Sequence, residues 1–198
     1  MSKDPTGPWM RYDHRGFHAA HEPSTFILPP GKVGDFDSAF TNNPTPVLLN
    51  NGSVVLIYKG RAAQCPACGN MRTGVAFAQT WEGPYVKQTS TAPMQVPGGC
   101  EDAAVYVSPS GIFRVVFHCG CNYLVAVSAD GHGYTAIGAP KPWCNITYAD
   151  GEQETLQRRE RPQWVMGRDG LPTHLMTGVE PAAQTHKGQV WTMAVELL

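Results

Sequence analysis

Short apolar runs separated by polar turns repeat along the chain. Three segments share one layout: a polar opening, an apolar run, a turn with glycine, and a second apolar run. They are NNPTPVLLNNGSVVLIYKG (42–60), CEDAAVYVSPSGIFRVVFH (100–118) and ERPQWVMGRDGLPTHLMTG (160–178). Apolar runs of this length, bounded by turn residues, predict β-hairpins rather than helices.

The three hairpins keep a constant spacing. Their turn glycines are Gly52, Gly111 and Gly170, which are 59 residues apart in both intervals (111 − 52 = 170 − 111 = 59). The opening residues Asn42, Glu101 and Glu160 have the same spacing. A period that is held twice without slippage indicates a structural repeat.

Each hairpin is followed by further strand-like runs. The third runs are residues 73–78, 123–127 and 190–195. Fourth strands are announced by Gly-Pro-aromatic turns at 7–9 and 83–85, and by a weaker Gly-His-Gly-Tyr version at 131–134. Four short antiparallel strands make up a β-propeller blade, although blade periods are usually nearer ~40–50 residues. Long connections at 61–71 and 140–158 would account for the excess.

We therefore predict an all-β protein, a partial β-propeller of about three four-stranded antiparallel blades. The predicted repeat units are 42–100, 101–159 and 160–198, within one domain that spans 1–198. The alternative is a β-sandwich whose hairpins are similar by coincidence.

The repeats do not add up to a closed ring. The chain opens with a fourth-strand motif and ends after a third strand, whereas propellers need at least ~4 blades to close. We expect part of a five-bladed propeller, completed by an N-terminal region or by a second chain. Exposed blade faces and strand edges would make the isolated monomer poorly stable.

Composition narrows the function. The 198 residues carry a net charge of −1, so no basic surface favours nucleic acid, and no apolar run is long enough to cross a membrane. The 21 glycines, 17 prolines and 16% charged residues fit a turn-rich β protein. No phosphate loop, dinucleotide fingerprint or GxSxG elbow is present, and we expect no cofactor.

The cysteines and two sequons favour a secreted or extracellular protein with two disulfides. There are six cysteines, and the sequons begin at Asn51 and Asn145. The first residues lack the apolar core of a signal peptide, so secretion would need a leader outside this sequence. Cys65 and Cys68 have the spacing of a zinc half-site, but Cys119-Gly120-Cys121 is a poor second pair, so we favour disulfides and no metal.

The repeat gathers polar residues into a candidate site. The first strand of each propeller blade lies along the central channel, so equivalent residues ring one mouth. Asn42, Glu101 and Glu160 share one position, and the next is shared by Asn43, Asp102 and Arg161. Paired carboxylates at a controlled separation are what cleavage of a glycosidic bond requires. The alternative is that Glu101 and Glu160 are simply paired with arginines, which the run RRER (158–161) would supply.

The order of these segments resembles the five-bladed propeller glycosidases of the arabinanase and β-xylosidase type, the family 43 glycoside hydrolases. The likeness covers most of the chain and includes GPWMRYD, GVAFAQTWEGPY, EDA and ERP. It implies three carboxylates at successive blade starts, which act as base, pKa modulator and general acid. Asp102 in EDA corresponds to the modulator and Glu160 in ERP to the acid, although Ala103 stands where the family usually has proline.

The third carboxylate, the base, has no matching residue in the segments that carry the resemblance. In the family it lies near the start of a first blade that is absent here, and the nearest acidic residues are Asp35 and Asp37. If Leu198 ends the propeller, the blade numbering shifts by one, and Glu101 or Asp102 takes the acid position.

The expected partner is an oligosaccharide or polysaccharide. We predict catalytic roles for Glu160, Asp102 and Glu101. The predicted substrate-binding residues are Asp37, Asn42, His118, Arg159 and Arg161. Trp143, in a loop rich in proline and cysteine, is expected to be the most exposed tryptophan. The alternative function is a non-catalytic carbohydrate-binding or assembly module with the same fold.

Overall fold

The structure is a computed structural model that describes residues 6, 10–13, 16–19, 26–63, 71–88, 94–96, 99–182 and 190–197. Every regular element in these ranges is a β-strand, which confirms the all-β fold class. Strands β1 (Met10–Asp13) and β2 (Gly16–Ala19) form a separate two-stranded hairpin. The Gly-Pro-Trp motif before β1 lies outside the described residues.

The first blade-like sheet is antiparallel and follows the chain order. It contains β3 (Phe40–Leu48), β4 (Val54–Arg61), β5 (Arg72–Ala78) and β6 (Val86–Lys87). Its short fourth strand begins directly after the turn at Gly83-Pro84-Tyr85, as the sequence predicts.

The second sheet has five strands instead of the expected four. Strands β8 (Glu101–Val107), β9 (Phe113–Cys119), β10 (Asn122–Ser128) and β11 (Tyr134–Pro142) are antiparallel. The additional strand, β7 (Met94–Gln95), pairs with β11 in parallel. It belongs to the segment that leads from the first sheet into the second, and it covers the outer edge of β11.

The third sheet begins inside a region predicted to be a connection. Its strands are β12 (Asn145–Thr147), β13 (Gln153–Met166), β14 (Pro172–Pro181) and β15 (Trp191–Glu196). The expected long loop at 140–158 is therefore wrong. A tight turn with Gly151 at φ 90° joins β12 to β13, and the Tyr148 amide donates to the Glu152 carbonyl across 2.8 Å.

Strands β3, β8 and β13, called the innermost strands below, lie side by side, and β12 pairs only with the first residues of β13, 153–155. β8 lies between β3 and β13. The Thr45 hydroxyl donates to the Ala103 carbonyl at 2.6 Å, and the Trp164 indole donates to the Ala104 carbonyl at 3.1 Å. These bonds join neighbouring sheets through their innermost strands, as in the blades of a propeller.

Apolar side chains fill the space between the sheets. The largest cluster packs Val55 and Ile57 of the first sheet against Val115 and Phe117 of the second. Each fully buried side chain of this kind contributes about 1.5–3 kcal/mol. The opposite face of the first sheet is covered by Leu28 and Phe36 of the segment before β3, and a third cluster surrounds Trp143.

The repeated turns have one geometry. Gly52, Gly111 and Gly170 have φ values of 84°, 82° and 76°, and each amide donates to the carbonyl three residues before it. The predicted hairpin turns therefore fall where the 59-residue period places them.

Two disulfides join neighbouring strands and loops of the second and third sheets. They link Cys100 to Cys119 and Cys121 to Cys144. Cys65 and Cys68 lie outside the described residues.

Replacing Gly111 by alanine should destabilise the chain by about 1–2 kcal/mol, because an L-residue is strained at positive φ. A Cβ at this position would meet no atom within 4 Å, so backbone conformation alone is tested. Gly133→Ala is the matched control, since Gly133 has the same open surroundings without a positive φ. Urea unfolding of both variants measures the difference. Equal stabilities would contradict the turn geometry.

Candidate functional site

Each innermost strand contains a bulge at the same repeat position. The pairing with the second strand shifts between Asn42 and Thr45 in the first sheet. Equivalent shifts lie at 101–104 in the second sheet and 160–163 in the third. Asn43, Asp102 and Arg161 have φ values of 47°, 51° and 53°. Non-glycine residues rarely adopt this conformation, and they cluster at functional sites, where bulges redirect side chains.

The three bulge residues meet around Asp102. The Asn43 amide nitrogen donates a short hydrogen bond to Oδ1 of Asp102. Arg161 acts on the same carboxylate through its positive charge. Residues separated by 59 positions in the sequence are therefore brought together around one carboxylate.

Asp102 is a buried carboxylate that remains ionised. Its side chain is 7% exposed, and Nδ1 of His118 lies 3.7 Å from Oδ2, which is too far for a hydrogen bond. Burial raises the pKa of Asp102, but polar contact with His118 and the positive charges of Arg161 and Lys59 outweigh it. The pKa of Asp102 is lowered overall, which favours the ionised form and suits an electrostatic role.

Glu101 forms an ion pair across the boundary between two sheets. Its carboxylate contacts the ammonium group of Lys59 on β4, and the two side chains are 20% and 11% exposed. The partner is thus a lysine from the preceding sheet, not an arginine. Lys59 was missed in the sequence, although Lys59, His118 and Thr177 follow the same 59-residue spacing.

Glu160 is paired with Arg158, as the alternative reading of RRER proposed. Oε1 of Glu160 accepts from Nε of Arg158 at 2.8 Å and lies 2.7 Å from Nη2. The Glu160 side chain is 23% exposed, and that of Arg158 is 58% exposed. Glu160 lines a cavity of 340 Å³ together with Arg158, Arg161 and Glu180.

A change of register opens the space beside Glu160. In the first two sheets, Asn42 is opposite Lys59 and Glu101 is opposite His118. The repeat would place Thr177 opposite Glu160, but the third sheet has an additional shift at Val165/Met166 and places Gly178 there. Glycine has no side chain, so the cavity extends over the strand next to Glu160.

Two of the predicted binding residues lie apart from this cavity. Asp37 is 1% exposed, and its Oδ2 accepts from the Tyr58 hydroxyl at 2.9 Å and lies 2.6 Å from Nζ of Lys87. These contacts bring it to neither Asp102 nor Glu160. Asn42 is exposed, opposite Lys59, and lines a separate cavity of 140 Å³ beside Phe26.

Trp143 is buried, so the prediction that it is the most exposed tryptophan is wrong. It is 5% exposed, whereas Trp81 and Trp191 are 38% and 39% exposed. The guanidinium of Arg159 lies 5.0 Å above its ring, and the rings of His118 and Tyr123 are 6.3 and 5.8 Å away. The disulfide of the adjacent Cys144 fixes this segment against the sheet.

The described residues contain no group of three or more histidine, cysteine or acidic side chains that could hold a metal ion. No helix in the same ranges is long and apolar enough to span a membrane.

The architecture is that of a β-propeller, and similar solved structures share it. The chain is similar to fructan 1-exohydrolase IIa from Cichorium intybus, with 15% identity and a TM-score of 0.54 over 83% of this chain and 32% of that one. It is also similar to a glycosyl hydrolase from Bacteroides ovatus, with 13% identity and a TM-score of 0.53 over 90% of this chain and 53% of the other. A third, described as a putative glycoside hydrolase from Parabacteroides distasonis, has 11% identity and a TM-score of 0.51, over 83% and 49% of the two chains.

The chain spans between about a third and about half of the length of these structures. No protein-family profile matches the sequence, and no curated protein does. At these identities the similarity shows a common fold, the propeller, in agreement with the resemblance noted in the sequence.

The loss of stability on removing one partner of the Lys59–Glu101 pair should depend on which partner is removed. Glu101→Gln leaves a buried ammonium group without its carboxylate, and we expect a loss of about 1–3 kcal/mol, at the low end for a partly exposed pair. Lys59→Met keeps the packing of the stem and should cost less. The double variant should recover part of the Glu101→Gln loss. Denaturant unfolding of the parent and the three variants gives a double-mutant cycle. If the loss in the double variant equals the sum of the losses in the two single variants, the two side chains do not interact.

The lowered pKa of Asp102 predicts an acid-dependent contribution to stability. A carboxylate with a lowered folded-state pKa stabilises the fold above its unfolded-state pKa of about 3.9, and this contribution disappears as the pH falls through the folded-state value. Asp102→Asn should therefore be less stable than the parent near pH 6, and the gap should narrow below about pH 4. Urea unfolding at both pH values measures the gap. A stability difference between parent and Asp102→Asn that is the same at both pH values would contradict an ionised Asp102 in the folded protein.

Proposed function

We propose that this chain is a carbohydrate-active protein of the propeller glycoside hydrolase type, which binds an oligosaccharide or polysaccharide. The observation that carries the proposal is the set of in-phase bulges at Asn43, Asp102 and Arg161. With them, Asn43 hydrogen-bonds to Asp102, and the charge of Arg161 acts on the same carboxylate. Glu160 precedes the third bulge and faces a cavity large enough for a sugar ring.

The environments of the two carboxylates support a division of labour. Asp102 is buried among positive charges and stays ionised, which suits the role of pKa modulator. Glu160 is more exposed and is the proposed general acid. Its Oε1 is occupied by Arg158, so proton donation to a sugar requires this exposed arginine to release Oε1 when sugar binds. Glu101 takes the acid role only in the alternative blade numbering, and Lys59 would then have to release it.

The catalytic base is proposed to come from outside the three sheets. Among the described carboxylates, Asp35 accepts from the Lys32 amide, and Asp37 is occupied by Tyr58 and Lys87. Further blades or a second chain would supply the base and close the ring. Val165, Met176 and Ala194 lie on one face of the third sheet and are exposed, which favours such a neighbour.

A non-catalytic carbohydrate-binding or assembly module remains the second candidate. The observation that favours it is that the described sheets contain carboxylates suited to the modulator and acid roles but no assigned base. We also propose a secreted location, and the two disulfides support it, because such bonds persist in oxidising compartments.

Saccharide binding tests the proposal on the 198-residue chain itself. Fructo-, arabino- and xylo-oligosaccharides are titrated by calorimetry and by protein NMR. We expect at least one series to bind and to perturb the signals of Asp102, Glu160 and Arg161. If no series binds, the carbohydrate function is wrong. Binding without turnover, even in an assembly with a closed ring, would favour the non-catalytic module.

In the assembly that closes the ring and supplies the base, Glu160→Gln should lower hydrolysis of a bound natural glycan by about 100-fold or more, since a positioned acid contributes that much. Aryl glycosides whose leaving groups need no protonation should be affected much less. Glu180→Gln is the matched control, because it removes the same charge from the same cavity. Turnover of the natural glycan at the parent rate in Glu160→Gln would exclude Glu160 as the acid.

A further inference from the structure

The two N-glycosylation sequons lie in different surroundings. Asn51-Gly52-Ser53 belongs to the turn between β3 and β4, whereas Asn145-Ile146-Thr147 makes up the whole of β12. An asparagine followed two residues later by serine or threonine accepts an N-linked glycan when it lies on the surface of a secreted protein. Both asparagines are exposed, so their hydrogen bonds, and not their exposure, distinguish the two sequons.

In the first sequon, the serine contacts the asparagine that would be modified. The Ser53 hydroxyl donates to Oδ1 of Asn51 at 2.6 Å, and the Ser53 amide donates to the same oxygen at 3.0 Å. Hydrogen bonds to this oxygen draw electron density from the amide nitrogen and make its protons easier to remove. Nδ2 of Asn51 has no hydrogen-bond partner among the described residues, so the reacting atom is free.

The second sequon is engaged in the third sheet. Asn145 is opposite Thr155 of β13, and its Oδ1 accepts from the Thr155 hydroxyl at 3.2 Å. Cα atoms two residues apart in a strand are separated by about 6.6 Å, and in this described strand the Thr147 hydroxyl forms no hydrogen bond with Asn145. The preceding Cys144 is buried and linked to Cys121.

The two sequons also differ in how much of the fold they need. The turn at 49–53 is closed from within, because the Leu49 amide donates to the Ser53 carbonyl at 2.8 Å and the Gly52 amide donates to the Leu49 carbonyl at 2.9 Å. Such local structure forms in about 1–10 μs, while synthesis adds about 5–20 residues per second. β12 forms only by pairing with β13, so folding withdraws Asn145 and leaves Asn51 presented.

We infer that Asn51 is an N-glycosylation site and that Asn145 remains unmodified. The step joins Nδ2 of Asn51 to the anomeric carbon of an oligosaccharide carried on a lipid diphosphate. The new C–N bond replaces the bond from the anomeric carbon to the phosphate oxygen. The diphosphate leaves with that electron pair, and the amide nitrogen loses one proton to a base of the transferase. The inference rests on the proposed secreted location, where such a donor is met.

A glycan at Asn51 would leave the candidate functional site open. The bulge residue Asn43 and the end of β3 at Leu48 are five residues apart (48 − 43 = 5), which is about 16 Å of extended strand, and Asn51 lies beyond that end. The turn end of the strand borders a separate cavity of 690 Å³, lined in part by Leu48 and Asn50. Leu48 is 66% exposed, and a glycan on the adjoining turn would shield it.

The test translates the 198-residue chain behind a cleavable leader in the presence of microsomes. Only chains that the microsomes protect from added protease are analysed, so every molecule scored has entered the lumen. We expect one glycan per chain. Treatment with an N-glycosidase should convert Asn51, and not Asn145, to aspartate, and peptide mass spectrometry locates the change.

Ser53 provides the matched variants. Ser53→Ala should abolish the glycan, because it removes the hydroxyl that contacts Oδ1, and Ser53→Thr should retain it. Asn51→Gln should remove all of the added mass, and Asn145→Gln none. Protected chains without a glycan at Asn51, or with one at Asn145, would overturn the inference. Because the leader is supplied, neither result would bear on the proposed secreted location.

Discussion

The positive φ of the bulge residue in each innermost strand is the constraint on which the candidate site depends. It occurs at Asn43, Asp102 and Arg161, always 59 residues apart, and it turns each side chain out of the regular alternation of its strand. Because strand faces alternate with a period of two, a bulge out of phase in one blade would send its side chain to the opposite face. The hydrogen bond from Asn43 to Asp102 forms only because two bulges are in phase. Asparagine and aspartate tolerate this backbone region better than arginine does, so the strain is greatest at Arg161.

The charges around Glu101 and Asp102 come from neighbouring sheets. Lys59 of the first sheet pairs with Glu101 of the second, and Arg161 of the third sheet acts on Asp102. Partly buried pairs of this kind contribute little net stability, because desolvation offsets their attraction. Their effect is to hold Asp102 ionised and to leave Glu160 in a more open place. Gly178, which is opposite Glu160, has no side chain and so increases the difference between the surroundings of Asp102 and those of Glu160.

The propeller fold by itself does not determine an activity, since one fold supports many functions. The similar solved structures share 11–15% identity with this chain, and the chain covers at most about half of each. The function must therefore be argued from the side chains around Asp102 and Glu160.

The sequence by itself determined the three repeated hairpins, their turns and the repeat, but not β7 or β12. Alternating apolar runs and turn glycines are local signals, and the 59-residue period placed Gly52, Gly111 and Gly170 at equivalent turns. The period also predicted that the residues at 43, 102 and 161 would meet. It did not reveal the left-handed bulge, the Lys59 partner of Glu101 or the burial of Trp143. These features depend on contacts between sheets, which no local pattern encodes. The one-residue slip that places Gly178 opposite Glu160 arises from an added irregularity at Val165/Met166, and only tertiary packing decides such a register.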